Sequence, residues 1–216
     1  MPDPAAFAGA ALATASLAGA AMGLSAGLAP GPLLSLVLSQ TLAYGPREGL
    51  KVCLAPALTD TPIIVAVWLA LSRLEGRPAI LGAVALAGAV LLCRYAWDCF
   101  QAPPPDAGDP AKAPRSVLRG VAANFANPHP YLFWITVGVP YLLETARAGT
   151  AAVMAFLAAF YVCIIGSKAL AALLAGRFRR FLSSRSYRLL MAGLGASLLY
   201  FAYTFVQQGL SLLGWA

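Results

Sequence analysis

"GLSAGLAPGPLLSLVLSQ", residues 23–40, is apolar almost throughout, yet Pro30-Gly31-Pro32 sits at its centre. Proline removes a backbone donor and clashes with the preceding helical turn, and it pushes the residue before it out of the helical region. A helix entering this stretch is expected to break. The surrounding composition makes that break informative. The 216-residue chain is 60% hydrophobic and 11% charged, whereas a soluble domain carries about 25% charged residues. Apolar runs of ~18 residues recur along the whole length and read as transmembrane helices. The expected fold is all-α: a polytopic membrane protein forming a single transmembrane domain.

The formal net charge of +7 does not point to nucleic acid. Arginines cluster in the short links between apolar runs, as topology signals do. No basic surface is interleaved with aromatics in the way a nucleic-acid site requires, so no nucleic-acid partner is expected. The N-terminal apolar run lacks a basic leader and is too long for a cleaved signal peptide, so it is taken into the first span. Cys53, Cys93, Cys99 and Cys163 form no C-x-x-C pair, and each falls in or beside an apolar run. They read as small hydrophobes.

Six spans are expected: 11–43 (broken at Pro30-Gly31-Pro32), 49–71, 79–100, 116–143, 150–174 and 187–213. "QAPPPDAGDPAKAPR", residues 101–115, is a Pro-, Ala- and charge-rich linker. Links one-to-two, three-to-four and five-to-six hold ten Lys and Arg: Arg47, Lys51, Lys112, Arg115, Arg119, Arg177, Arg179, Arg180, Arg185 and Arg188. The other links hold three: Arg73, Arg77 and Arg147. The odd links are therefore expected in the cytoplasm and both termini outside. The linker leaves three spans on either side, in repeats 11–100 and 116–213. Three is odd, so a second copy enters the membrane from the opposite face. This is the 3+3 inverted repeat common in secondary transporters.

A second break supports that division. In "NFANPHPYLFW", residues 124–134, Asn127-Pro128-His129-Pro130 interrupts the fourth span near its middle. Both breaks are expected near mid-depth, where irregular backbone must be covered by protein or line a watered cavity. Pro32 and Pro130 suit the first position of a new helical turn. Each break is then expected to start a half-helix whose free amides favour an anionic group. Gly31 permits close approach. The competing reading of either break alone is a proline kink that only shapes packing.

Asp60 lies in "APALTDTPIIVAVW" and Lys168 in "FYVCIIGSKALAALL", the second spans of the two halves. A charge near mid-helix costs roughly 2.5–3.5 kcal/mol, so each needs a partner or water. Two arrangements are open: an Asp60–Lys168 pair, or a shared polar cavity near the breaks. A helix cap before Pro62 would also account for Asp60, and snorkelling to an interface for Lys168. Asp60 and His129 are the proton-carrying candidates, an unperturbed histidine titrating near ~6.5. His129 is the only histidine, and no metal-ligand spacing is visible, so neither metal nor other cofactor is expected. Arg94 and Asp98 stand four apart and suit a local ion pair. Ser35, Ser39 and Gln40 follow Pro32 and suit either cavity lining or helix packing.

"APGPLLSLVLSQTLAYGPREGLKV", "APALTDTP" and "NPHPYLFWITVG" resemble the LysE/RhtB superfamily of small bacterial and archaeal exporters, over nearly the whole chain. The resemblance implies export of amino acids or related metabolites across the cytoplasmic (inner) membrane, coupled to the proton gradient. It implies a transporter rather than an enzyme. The family's functional positions fall on Pro30-Gly31-Pro32, Asp60 and Asn127-Pro128. Leu33 stands where many members have Asn, and His129 where many have Lys, which sets the chain apart from a specific lysine or threonine exporter.

The expected substrate is thus an amino acid or similar zwitterion, its carboxylate on the half-helix ends and its ammonium, or a proton, on Asp60. Pro30, Gly31, Pro32, Ser35, Asp60, Asn127, Pro128, His129, Pro130 and Lys168 form the expected site. Partners are that substrate, protons and the lipid bilayer; a homo-oligomer is compatible with the sequence. An alternative is a cation or metal-ion exporter of the same superfamily.

Overall fold

The computed structural model describes residues 4–29, 31–70, 78–101, 115–179 and 184–214. All regular structure among them is helical: α1 (Pro4–Leu28), α2 (Pro32–Tyr44), α3 (Pro46–Cys53), α4 (Ala55–Ala70), α5 (Pro78–Phe100), α6 (Ser116–Phe125), α7 (Pro128–Phe133), a π turn (Trp134–Gly138), α8 (Val139–Ala146), α9 (Thr150–Arg179) and α10 (Ser184–Leu212). Among the described residues, Gly9–Leu28, Pro46–Val67, Thr150–Phe178 and Ser184–Leu212 are long and apolar enough to cross a membrane. The third expected span coincides with α5, and the fourth with the interrupted run α6–α8. Pro30, Arg73, Arg77, Lys112, Arg180 and most of the 101–115 linker lie outside the described residues.

Proline opens α1, α2, α3, α5 and α7. Pro32 opens α2 at its first turn, after an extended Gly31, and Pro46 opens α3. Between those two helices the chain turns at Gly45, whose φ of 101° lies in the region that favours glycine. α4 runs straight through Pro62, forgoing one backbone bond. Pro140 has another consequence. It has no amide for the Thr136 carbonyl, and its ring would strike that carbonyl in a regular helix. The backbone widens instead: the Val139 amide bonds five residues back to the Trp134 carbonyl. Such π turns rotate the side chains that precede them relative to those that follow.

Lipid tails are as apolar as leucine, so helices in a membrane are held together by close packing rather than by hydrophobic exclusion. α1 meets α9 along Gly19, Gly23 and Gly27, spaced by four. A Cβ on Gly19 would strike the Phe156 carbonyl, one on Gly23 the Phe160 carbonyl, and one on Gly27 the Ser167 hydroxyl. The contacts advance in the same direction along both helices, so α1 and α9 run parallel. α5 and α10 run antiparallel, Gly82 meeting Gly209 and Gly195 meeting Ala96 and Phe100. One apolar core joins α2, α3, α5 and α10; a second joins α1, α4, the π turn, α8 and α9. Exposed Leu17, Leu69, Val90 and Val162 mark the outward apolar surface. Replacing Gly23 with Leu is expected to split α1 from α9 and abolish a monodisperse detergent-solubilised peak. Gly166→Leu on α9, where an added Cβ meets nothing within 4 Å, should leave that peak unchanged. Equal behaviour of the two variants in size-exclusion chromatography would contradict this packing.

The local pair at Arg94 and Asp98 is present at 3.8 Å, but Arg119 from α6 is the closer partner of Asp98, at 3.1 Å. Arg119 also lies over the Tyr95 ring, 5.7 Å from its centroid, and its carbonyl accepts from the Tyr95 hydroxyl at 3.1 Å. These contacts clasp α5 to α6.

Candidate functional site

The end of α1 packs against α9 at Gly27, and the last four carbonyls of any helix lack intrahelical partners. Lys168 on α9 fills that gap. Its Nζ donates to the Gly27 carbonyl at 2.9 Å and to the Ala26 carbonyl at 3.2 Å. The ammonium also sits at the negative end of the helix dipole. This approach depends on Gly27, where a Cβ would strike the hydroxyl of Ser167, the residue before Lys168. Lys168 is 3% exposed, so it does not snorkel outward.

Asp60 on α4, also 3% exposed, faces α6. The Asn124 amide donates to Thr59 Oγ1 at 2.6 Å and to Asp60 Oδ1 at 3.3 Å. The Thr59 hydroxyl reaches the same Oδ1 at 3.5 Å and donates to the Ala55 carbonyl at 2.8 Å. The Trp134 indole lies against the carboxyl as well. Since α4 is continuous through Pro62, Asp60 does not cap a restarting helix.

The direct Asp60–Lys168 pair does not form: among the described residues, the ion pairs are Lys51–Glu48, Arg94–Asp98 and Arg119–Asp98. The two residues instead face one cavity of about 370 Å³, the arrangement that was the alternative to pairing. That cavity is lined by both breaks, through Gly31 and Pro32 on one side and Asn127, His129 and Pro130 on the other. Asn124, Phe133, Trp134 and Phe160 complete much of its wall.

The breaks are unequal, which corrects the expectation of two amide-bearing ends. α2 begins at Pro32 with no side-chain cap on its first turn. Leu33 and Leu34 line the cavity there, and their amides have no carbonyl four residues back within the helix. α7 begins at Pro128, not Pro130, and both prolines lack an amide. The remaining first-turn donor, the His129 amide, is taken by the Asn127 side chain at 3.0 Å. The second break is therefore capped by its own sequence, whereas among the described residues no side chain caps the first.

His129 lines the cavity while remaining exposed, its ring 5.8 Å from that of Phe205. Ser35, Ser39 and Gln40 are buried in helix contacts and do not line the cavity. Ser35 Oγ lies 2.9 Å from Ser197 Oγ, the Ser39 hydroxyl donates to the Leu36 carbonyl at 3.0 Å, and Gln40 Oε1 accepts from Ser116 at 3.1 Å.

Asn124, Phe133, Trp134 and Phe160 were missed as site residues. Asn124 stands three residues before Asn127, on the same helical face and one turn before the break. That spacing was a visible signal. A second was the hydroxyl-then-charge dipeptide repeated as Thr59-Asp60 and Ser167-Lys168 in the second span of each half. Ser167 and Thr59 also act alike, each donating back along its own helix, Ser167 to the Cys163 carbonyl at 2.7 Å.

A family model described as LysE type translocator matches residues 24–209. No curated protein matches the chain, and no solved structure does.

Proposed function

Because the chain belongs to the LysE type translocator family, a family of multi-pass membrane transporters of small molecules, we propose that it exports an amino acid or similar small zwitterion in exchange for protons. The observation that carries this reading is the pair of opposite charges, Asp60 and Lys168, facing one cavity without neutralising each other. A zwitterion supplies the counter-charge that each lacks. Its carboxylate fits the open α2 end and the Lys168 ammonium. Its ammonium fits against the Asp60 carboxylate. Asn124 orients that carboxylate.

This arrangement suggests how binding drives movement. Lys168 holds the end of α1. A substrate carboxylate competes with the Ala26 and Gly27 carbonyls for the same ammonium, loosening α1 as it binds. A proton on Asp60 competes with the substrate ammonium, so loading one species releases the other. His129 is the second candidate in the proton path.

Helix pairing supports an inverted 3+3 repeat rocking about the cavity. α1 packs on α9, and with the halves exchanged α6 packs on α3 and α4; α5 and α10 pair with each other. The proposed location is the cytoplasmic membrane of a bacterium or archaeon, with both termini outside. In proteoliposomes loaded with mixed amino acids, external acid should accelerate efflux and shift the outside-to-inside ratio reached at equilibrium about tenfold per pH unit for each proton exchanged, each unit being ~1.4 kcal/mol per proton. Absence of coupled efflux for every amino acid would overturn the proposal.

A further inference from the structure

We infer that the exported zwitterion carries a large apolar side chain, aromatic before aliphatic, and no charge beyond its ammonium and carboxylate. The inference rests on the export reading and deepens it. One wall of the cavity is a set of three rings. Phe133 and Phe160 lie nearly parallel, 13° apart with centroids at 5.7 Å. Trp134 stands edge-on to both, at 5.1 Å from Phe133 and 5.3 Å from Phe160. The π turn begins at Trp134 and ties that ring to the backbone change forced by Pro140.

Rings packed against one another in this way are already ordered before a guest arrives, so a guest ring gains edge and face contacts at little entropic cost. The charges argue in the same direction. Among the described residues, Asp60 and Lys168 are the carboxylate and ammonium that line the cavity, and a zwitterion's own head uses both; His129 is the other titratable group described on its wall. A lysine-like or glutamate-like side chain would lie against the rings with no counter-charge, an arrangement that disfavours binding. A very small side chain would leave the wall unfilled, since a volume of about 370 Å³ is well beyond a zwitterionic head alone.

The test uses the full chain in proteoliposomes, with L-phenylalanine, L-leucine, L-alanine, L-lysine and L-glutamate each loaded alone. Phenylalanine should half-saturate efflux at a concentration about tenfold below that for alanine, the order of one aromatic contact, with leucine between them and lysine and glutamate unmoved. Phe133 is only partly buried, so Phe133→Ala should fold. It should raise KM for phenylalanine about five- to tenfold while changing that for alanine less than about twofold. If that variant does not fold, Phe133→Leu, which keeps bulk but removes the ring, should shift the phenylalanine-to-leucine preference toward leucine. Preferred efflux of lysine, glutamate or alanine overturns this inference and leaves the export reading intact. Efflux of none of the five overturns this inference, and the export reading falls with it only when the remaining amino acids give no coupled efflux either.

Discussion

Asp60→Asn is expected to reduce pH-driven export at least ~100-fold in initial rate, the order of effect when one partner of a buried charged contact is removed. The amount of protein in the membrane should stay unchanged. Asparagine has nearly the same shape, so the Thr59 and Asn124 contacts to Oδ1 can persist. What disappears is the negative charge that receives either a substrate ammonium or a proton. Rate measurements with and without external acid separate the two roles. Residual efflux that no longer responds to acid assigns Asp60 to coupling; loss of both assigns it to substrate binding as well. Efflux at the normal rate with a normal acid response would remove Asp60 from the mechanism.

Lys168→Met should behave differently, losing both transport and stability. Methionine fills the space but leaves the Ala26 and Gly27 carbonyls without their donor in a buried site. An unsatisfied buried polar group costs about 1–3 kcal/mol, and partners available in the unfolded, membrane-embedded chain reduce that figure. A loss of roughly 2 kcal/mol should lower Tm by several degrees. Thermal unfolding in detergent should therefore separate the two substitutions, Asp60→Asn near wild type and Lys168→Met clearly below it. An unchanged Tm in Lys168→Met would mean that the ammonium does not hold α1.

The contrast shows how far residue identity carries. Asp60 and Lys168 stand out in the sequence because a charge deep in an apolar helix needs an explanation, and both do face the cavity. Their bonding could not be read in the same way. The natural guess pairs the two opposite charges, yet Lys168 is held by backbone carbonyls. A carbonyl orphaned by a helix end has no side-chain signature, and its reach to α9 depends on the absence of side chains at Gly23 and Gly27. The inequality of the breaks, in contrast, was visible: "NPHP" holds two residues without amides and an asparagine placed to cap the third. Reading Pro130 only as a helix starter hid it.

Composition and proline positions by themselves determined that the chain is helical, membrane-embedded and interrupted near Pro30-Gly31-Pro32 and Asn127-Pro128-His129-Pro130. Those constraints are local: a missing amide or a clashing ring acts within about one helical turn, whatever the rest of the chain does. Tertiary structure alone decided that the breaks share a cavity, that Lys168 serves α1 while Asn124 serves Asp60, and that Phe133, Trp134 and Phe160 form one wall. Those outcomes depend on distances between helices, which are set by where glycines let backbones touch and by how a π turn places a ring.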